Sequence, residues 1–221
     1  DGAFGIASAL IYAPGNYAST EELIALCRAM APFNGLYITH LRSEADRFLE
    51  GIDEAIRIGR EARVAVEIYH LKAAGERNWT KAQPALDRIE AARAQGLDVE
   101  ADMYPYVAGA TSLSAVFPPW AAEGGGLNRR LRDPETYSRI KAEVLSDDTE
   151  WENLAGASGP ANVYVNGIRD DELARFNDMN LEQIAGEMGV DWVDAAARIV
   201  TAGSAGMVIF MMSEENVRLY L

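Results

Sequence analysis

Short apolar runs alternate with amphipathic stretches along roughly the first hundred residues of the chain. The apolar runs are rich in Val, Ile, Leu and Tyr and are bounded by turn-forming residues, which is typical of buried strands. Between them, apolar residues recur at spacings of three and four, which is typical of helices that pack on one face. The pattern predicts strands at 3–10, 36–39, 64–69 and 97–103, and helices at 20–30, 43–62 and 81–95. Strands joined in this order by helices form parallel sheets, so we expect an α/β fold.

The pattern changes after residue 106. Residues 107–134 contain Pro118-Pro119-Trp120 and three consecutive glycines with little periodicity, so we predict a long loop that is a candidate lid or binding loop. Farther along, the sequence predicts helices at 137–145, 181–188 and 192–201, strands at 161–166 and 207–210, and a last helix after the cap residue Ser213.

Composition narrows the class of protein. The chain has 221 residues, 49% of them hydrophobic, which is enough for one large domain or part of one. Its net charge of −14 argues against binding to nucleic acid or anionic membranes, and it lacks the apolar run of about 18 residues that a membrane-spanning helix needs.

The single cysteine, Cys27, excludes an internal disulfide, and we interpret it as a buried structural thiol in a cytoplasmic protein. Because the chain opens on Asp1 and closes on an apolar stretch at Leu221, we expect the natural protein to extend beyond both ends.

The chain contains only two histidines, and they occupy equivalent positions. His40 and His70 each end a predicted strand, and each is followed by leucine and a basic residue. Functional sites of parallel α/β folds lie at the carboxyl ends of the strands, and imidazole is a common zinc ligand. We therefore predict that both bind a metal ion such as zinc; the alternative is two unrelated core histidines. Two ligands do not close a catalytic zinc site, so the others are carboxylates or lie outside this chain.

Three further side chains are candidates for binding a substrate. Lys72 follows the second histidine and can pair with a substrate carboxylate; the alternative is a solvated loop lysine. Tyr104 and Tyr12 can donate hydrogen bonds to an acyl or carboxylate oxygen; the alternative is an aromatic plug at the rim of the sheet. Two nearby carboxylates are interpreted as structural. Glu44 is expected in the first turn of the following helix, where the helix dipole stabilises a negative charge. Asp102 is expected to make a structural hydrogen bond at a strand end.

Taken together and in this order, several segments resemble the N-acyl-D-amino-acid deacylases, the D-aminoacylases of the amidohydrolase superfamily. The segments are 3–15, the Thr-His-Leu-Arg-Ser-Glu motif at 39–44, His-Leu-Lys-Ala-Ala-Gly at 70–75, Asp-Met-Tyr-Pro-Tyr at 102–106 and 113–120. The resemblance implies a zinc-bearing (β/α)8 barrel of the TIM type. Residues 1–221 would be a partial catalytic barrel domain that lacks the N-terminal His-x-His strand and the C-terminal segment with the catalytic aspartate.

The resemblance also implies an activity, the hydrolysis of N-acyl-D-amino acids to a carboxylate and a D-amino acid. Residue by residue, His40 and His70 match the family's strand-end metal ligands. Lys72 matches its substrate-carboxylate lysine, and Tyr104 matches a tyrosine that contacts the substrate. The catalytic aspartate is expected beyond Leu221, so no catalytic residue is assigned within the chain.

The sequence departs from the family pattern at one point, close to the substrate tyrosine. Many members have a serine six positions after the tyrosine, where this chain has Ala110. Thr111 or Ser112 is then left to make the contact of that serine, or the contact is absent. The bridging cysteine belongs to the N-terminal half of the family's barrel, which is not in this chain, and Cys27 is no substitute because it is predicted to lie in a helix.

Two alternatives remain open. The protein could be an amidohydrolase that acts on a cyclic amide or ureide, as dihydroorotases do, although a carboxylate-binding lysine argues against it. Alternatively, the chain is a non-catalytic partial barrel whose exposed sheet edges favour association.

Overall fold

The structure, a computed structural model, describes residues 2–147 and 149–221. The strands within that part of the chain are β1 (Gly5–Ala9), β2 (Leu36–His40), β3 (Ala65–Ile68), β4 (Val99–Ala101), β5 (Ala108–Ser112), β6 (Val163–Asn166) and β7 (Gly206–Phe210). The α-helices are α1 (Thr20–Met30), α2 (Phe48–Ala62), α3 (Ala82–Ala94), α4 (Pro119–Ala122), α5 (Leu127–Arg132), α6 (Pro134–Val144), α7 (Leu154–Ser158), α8 (Leu181–Met188), α9 (Trp192–Ala202) and α10 (Glu214–Tyr220). None of these helices is both long and apolar enough to cross a membrane.

The chain forms two compact units, of which the first contains residues 1–106 and 212–221. Its strands form a parallel sheet in the order β1-β2-β3-β4, with helices α1, α2 and α3 between successive strands. The register pairs Ala9 with His40 and Thr39 with Ile68, so the carboxyl ends of the first three strands lie side by side. The predicted α/β architecture of this part is confirmed.

Helix α2 packs on the sheet through a continuous apolar face. Phe48, Ile52, Ala55 and Ile58 on this helix are buried, as their spacing of three and four residues predicts. The backbone of Gly59 lies so close to the sheet that an added Cβ would be 2.5 Å from Val66 Cγ2. The small residue at this position therefore lets the helix approach the strand closely.

Helix α2 begins at Phe48, five residues later than the predicted start at Ser43. The Ser43 hydroxyl accepts hydrogen bonds from the backbone N–H groups of Ala45 and Arg47, which stabilises a non-helical connection instead. Serine makes such local bonds in turns as readily as at helix caps, and that competition explains the wrong boundary. The assignment of Glu44 to a first helical turn is wrong for the same reason.

The second unit contains residues 107–211 and includes an antiparallel sheet in the order β5-β7-β6. The long loop expected over 107–134 instead contains β5, α4 and α5. Strand β5 is composed of small and polar residues, and its register with β7 pairs Ala108 with Phe210, which is distant in sequence. Local periodicity cannot show a strand that is defined by such a pairing. A lid role for the segment remains a prediction.

Candidate metal centre

The two histidines lie side by side at the carboxyl ends of neighbouring strands. His40 is the last residue of β2, and His70 lies two residues beyond the end of β3. Their ring centroids are 4.5 Å apart with the planes nearly perpendicular, at 87°. Both side chains are partly buried, with 13% and 17% of their surface exposed. The parallel register of the strands therefore brings together the two residues that the sequence singled out.

A tight turn fixes the direction of the second histidine. His70 has a backbone φ of 42°, in the left-handed region that residues other than glycine adopt at some cost in free energy. The Asp102 carboxylate accepts a hydrogen bond from the His70 N–H group, and the Asp102 carbonyl accepts one from Leu71 N–H at 2.8 Å. The structural role expected for Asp102 is confirmed. Its hydrogen bonds hold the backbone of His70, a candidate metal ligand.

The loop that carries the first histidine is braced by Arg42. Its guanidinium donates hydrogen bonds to both carboxylate oxygens of Glu54 on α2, each at 2.9 Å. It also donates to the carbonyl oxygens of Asn16 and Ala18, again at 2.9 Å. The Arg42 side chain thus ties the connection after β1, the connection after β2 and helix α2 to one another.

Glu44 is the residue that sequence reasoning missed. Its side chain is almost completely buried, with 2% of the residue exposed, and it points toward both imidazoles. Glu44 Oε1 lies 3.0 Å from His70 Nδ1 and 3.5 Å from His40 Nδ1. The available signal was its place in the Thr-His-Leu-Arg-Ser-Glu motif, four residues after the first histidine.

Lys72 also lies inside this cluster rather than in solvent. Only 3% of its surface is exposed, and its Nζ atom lies 2.7 Å from Glu44 Oε1 and 2.6 Å from His70 Nδ1. The same atom is 5.6 Å from the centroid of the Tyr104 ring. The predicted position beside the second histidine is observed, whereas the alternative of a solvated loop lysine is wrong.

Burial and charge set the ionisation of the cluster. Burial alone raises the pKa of the Glu44 carboxyl, but the Lys72 ammonium and the two imidazoles outweigh it and lower this pKa to about 2. Burial lowers the pKa of the His40 imidazole more than the nearby Glu44 carboxylate raises it. At neutral pH the cluster therefore contains an anionic carboxylate and a neutral His40 ring, the forms in which these groups bind metals.

Two tyrosines flank the histidines as predicted. The Tyr12 ring lies 5.4 Å from the His40 ring in an edge-on arrangement, and Tyr104 lies 6.3 Å from the His70 ring. Burial raises the pKa of the Tyr104 hydroxyl above its usual range, so the group stays protonated and can donate a hydrogen bond. The structure thus gathers all five predicted metal- and substrate-binding residues of the first unit into one place.

The other candidate positions lie elsewhere in the chain. Thr111 and Ser112 are in β5 of the second unit. Cys27 is fully buried on α1, where burial raises the pKa of its thiol to about 11. A protonated thiol in an apolar environment is a poor metal ligand, in agreement with the structural role expected for it.

The donor atoms present fit a zinc ion. One ligand atom from each of His40, Glu44 and His70 lies within 4.8 Å of the other two. Zinc binds imidazole nitrogens and carboxylate oxygens at about 2.0–2.2 Å, so two of its ligand atoms can lie at most about 4.4 Å apart. The separations in this group are therefore close to those that a single ion requires.

Comparison with known proteins identifies relatives with one kind of activity. D-aminoacylase of Alcaligenes xylosoxydans xylosoxydans is 44% identical over 112 residues, which make up 51% of this chain and 23% of that protein. N-acyl-D-glutamate deacylase of the same organism is 30% identical over 217 residues, 98% of this chain and 36% of that protein. The chain belongs to the N-acyl-D-amino-acid deacylase family. No family model matches the chain.

A solved structure of this deacylase family shares the fold. N-acyl-D-glutamate deacylase of Bordetella bronchiseptica, complexed with zinc and a phosphonate inhibitor, superimposes with a TM-score of 0.73 at 26% identity. The likeness covers 99% of this chain and 37% of that one. The chain therefore spans about a third of the length of this deacylase, and the prediction of a partial (β/α) barrel is confirmed.

Proposed function

We propose that the protein containing this chain is a zinc-dependent hydrolase that cleaves N-acyl-D-amino acids into a carboxylate and a D-amino acid. The observation that carries the proposal is the convergence of His40, His70, Lys72 and Tyr104 at the carboxyl ends of adjacent parallel strands. Membership of the deacylase family adds the substrate class, because the relatives are named for the hydrolysis of D-amino-acid derivatives.

His40 and His70 are proposed to hold the zinc ion. The lowered pKa of His40 keeps its imidazole unprotonated at neutral pH, so that a ring nitrogen has a lone pair for the metal. Zinc supplies two effects when bound: it lowers the pKa of a coordinated water to about 7 and it polarises the scissile carbonyl.

Lys72, Tyr104 and Tyr12 are proposed to bind and orient the substrate. The Lys72 ammonium is suited to the α-carboxylate that all N-acyl amino acids carry, as a positive charge that can donate three hydrogen bonds. The Tyr104 hydroxyl, which stays protonated, can donate to an acyl or carboxylate oxygen. Tyr12 lies against His40 and is proposed to contact the substrate from that side. None of the three is proposed as the general base.

The test is a deacylase assay on the intact natural protein that contains these residues. After loading with zinc, hydrolysis of N-acetyl-D-methionine, N-acetyl-D-glutamate and N-acetyl-D-aspartate is compared with that of their L enantiomers and of dihydrouracil. The proposal expects hydrolysis of D substrates that is lost on chelation and restored by zinc. Equal rates on both enantiomers, or faster opening of the cyclic amide, would contradict it.

A Lys72→Met variant, assayed at saturating zinc, tests whether this lysine binds the substrate. Loss of the carboxylate partner should raise KM for N-acyl-D-amino acids by about tenfold or more, since a charge-assisted hydrogen bond contributes about 1.5–3 kcal/mol. Arg47→Met is the matched control, because the Arg47 side chain is 67% exposed and pairs only with Glu50 among the contacts seen. An unchanged KM in Lys72→Met would remove this residue from the substrate site.

A further inference from the structure

The Glu44 carboxylate is the meeting point of two side chains from the neighbouring connection. Glu44 lies in the connection after β2, whereas His70 and Lys72 lie in the connection after β3. The Lys72 ammonium is 2.7 Å from Glu44 Oε1, and His70 Nδ1 is 3.0 Å from the same oxygen. The Glu44 carbonyl also accepts a hydrogen bond from Ala74 N–H at 2.7 Å. Glu44 therefore holds the second connection through both its side chain and its main chain.

Charge compensation holds the ammonium at this place. The side chains of Glu44 and Lys72 are each 3% exposed, so each provides the opposite charge that the other needs inside the protein. A buried charge that loses its partner is strongly unfavourable. Lysine has a long and flexible side chain, and the carboxylate fixes where its charge lies. The ammonium is thereby kept 5.6 Å from the centroid of the Tyr104 ring, beside the other group proposed to bind the substrate.

The His70 ring is held through one of its two nitrogens. A histidine that binds a metal through one nitrogen commonly donates its other N–H to a carboxylate or carbonyl oxygen, which fixes the orientation of the ring. His70 Nδ1 is the nitrogen that faces Glu44. The Lys72 ammonium lies 2.6 Å from this nitrogen, so two donors converge where the carboxylate oxygen can accept from both. His40 Nδ1 is farther from Glu44 Oε1, at 3.5 Å, and lies 3.3 Å from the Leu41 carbonyl oxygen.

We propose that Glu44 is a positioning residue, which holds the Lys72 ammonium for the substrate carboxylate and the His70 imidazole for the metal ion. Glu44 acts through these two side chains and is itself neither a ligand of the ion nor a contact of the substrate. The inference rests on the proposed function, in which His70 binds zinc and Lys72 binds the substrate. It adds to that function the residue that keeps both groups in place.

The first experiment is a double-mutant cycle on KM for N-acetyl-D-methionine, measured on the intact natural protein at saturating zinc. Glu44→Gln keeps the shape of the side chain and removes its charge, so Lys72 loses its partner and KM should rise by about tenfold or more. In a Lys72→Met background the same substitution should change KM by less than about twofold, because Glu44 acts on the substrate only through the lysine. Glu50→Gln, at a side chain that is 64% exposed, is the matched control and should behave as the wild type does.

The second experiment measures zinc affinity of the same protein without substrate, by competition with a chromogenic chelator. All variants carry Lys72→Met, so that no buried ammonium is left unpaired, and circular dichroism establishes that they are folded. Adding Glu44→Leu should weaken zinc binding by about 10–100-fold, because His70 Nδ1 loses its acceptor. Adding Glu44→Gln instead should recover most of the affinity, since an amide oxygen accepts the same hydrogen bond. The visible absorption of bound Co²⁺ should stay the same in all of them, because the number of ligands does not change.

Each experiment can overturn the proposal. A rise in KM that is equal in the presence and absence of Lys72, or no rise at all, excludes the role of Glu44 toward the lysine. Equal zinc affinity with glutamate and leucine at position 44 excludes its role toward His70, and altered Co²⁺ bands in the glutamine variant would make Glu44 a ligand instead. The proposed function fails separately, when the wild type shows no D-selective hydrolysis; the zinc affinities then decide the role toward His70 by themselves.

Discussion

Replacement of Arg42 by lysine tests whether one side chain holds the loop that carries His40 and Glu44. The Arg42 guanidinium makes four hydrogen bonds at 2.9 Å, two to Glu54 and two to backbone carbonyls before α1. Lysine keeps the charge but has a single nitrogen, which cannot bond both carboxylate oxygens and both carbonyls at once. The expected defect is therefore a loss of geometry rather than of charge.

The magnitude follows from the bonds that disappear. Two bonds to carbonyl oxygens contribute about 1 kcal/mol each, and loss of the bidentate arrangement with Glu54 adds about another 1 kcal/mol. The surroundings are only partly exposed, at 29% for Arg42 and 12% for Glu54, so solvent screens the pair incompletely. We expect Arg42→Lys to lower the free energy of unfolding by about 3 kcal/mol, which corresponds to a fall in Tm of roughly 10 °C.

Thermal unfolding followed by circular dichroism measures this change, with Arg47→Lys as the matched control. Arg47 pairs with Glu50 on the surface, where both side chains are more than half exposed, so its variant should stay within about 0.5 kcal/mol of the wild type. An equal fall in Tm for the two variants, or none for Arg42→Lys, would refute the bracing role.

Four further substitutions test packing and charge. Gly59→Ala should destabilise the chain by about 1–3 kcal/mol, because its Cβ would lie 2.5 Å from Val66 Cγ2. Gly186→Ala on α8 should instead stabilise the chain by about 0.5–1 kcal/mol, since no atom lies within 4 Å of the added Cβ. Chemical denaturation measures both changes in the free energy of unfolding. Phe48→Ala should lower the free energy of unfolding by about 3–5 kcal/mol, measured in the same way, because the ring is completely buried. Burial raises the pKa of Asp194, but hydrogen bonds from Tyr137 and Lys141 outweigh it and hold this pKa below the usual 3.8. A carboxyl whose pKa is lower in the folded than in the unfolded state stabilises the fold at pH values above its unfolded pKa, and this stabilisation is lost as the pH falls through the folded pKa. Asp194→Asn should therefore flatten the loss of stability in acid.

The sequence predicted the elements that depend on local pattern. The ends of β2 and β3 followed from apolar runs closed by histidine, and adjacent parallel strands then had to place His40 and His70 side by side. Lys72 was expected next to His70 because it lies two residues farther on. Its burial was not expected, since its charge is compensated by Glu44 from another connection.

What could not be predicted depends on contacts that are distant in sequence. Glu44 was interpreted as a helix-start residue because Ser43 precedes it, and only the late start of α2 turns its carboxylate toward the strand ends. Strand β5 lacks the large apolar residues that mark strands and is defined by its pairing with β7. In both places, tertiary structure decided between two conformations that the local sequence allowed.

The most direct test of the central claim is the zinc affinity of the chain with and without its two histidines. If His40 and His70 hold one ion together, saturating zinc gives a single bound ion per chain, and both His40→Ala and His70→Ala lose it or weaken it by orders of magnitude. A chain that binds zinc equally well after either substitution would contradict the claim that these histidines form the metal centre.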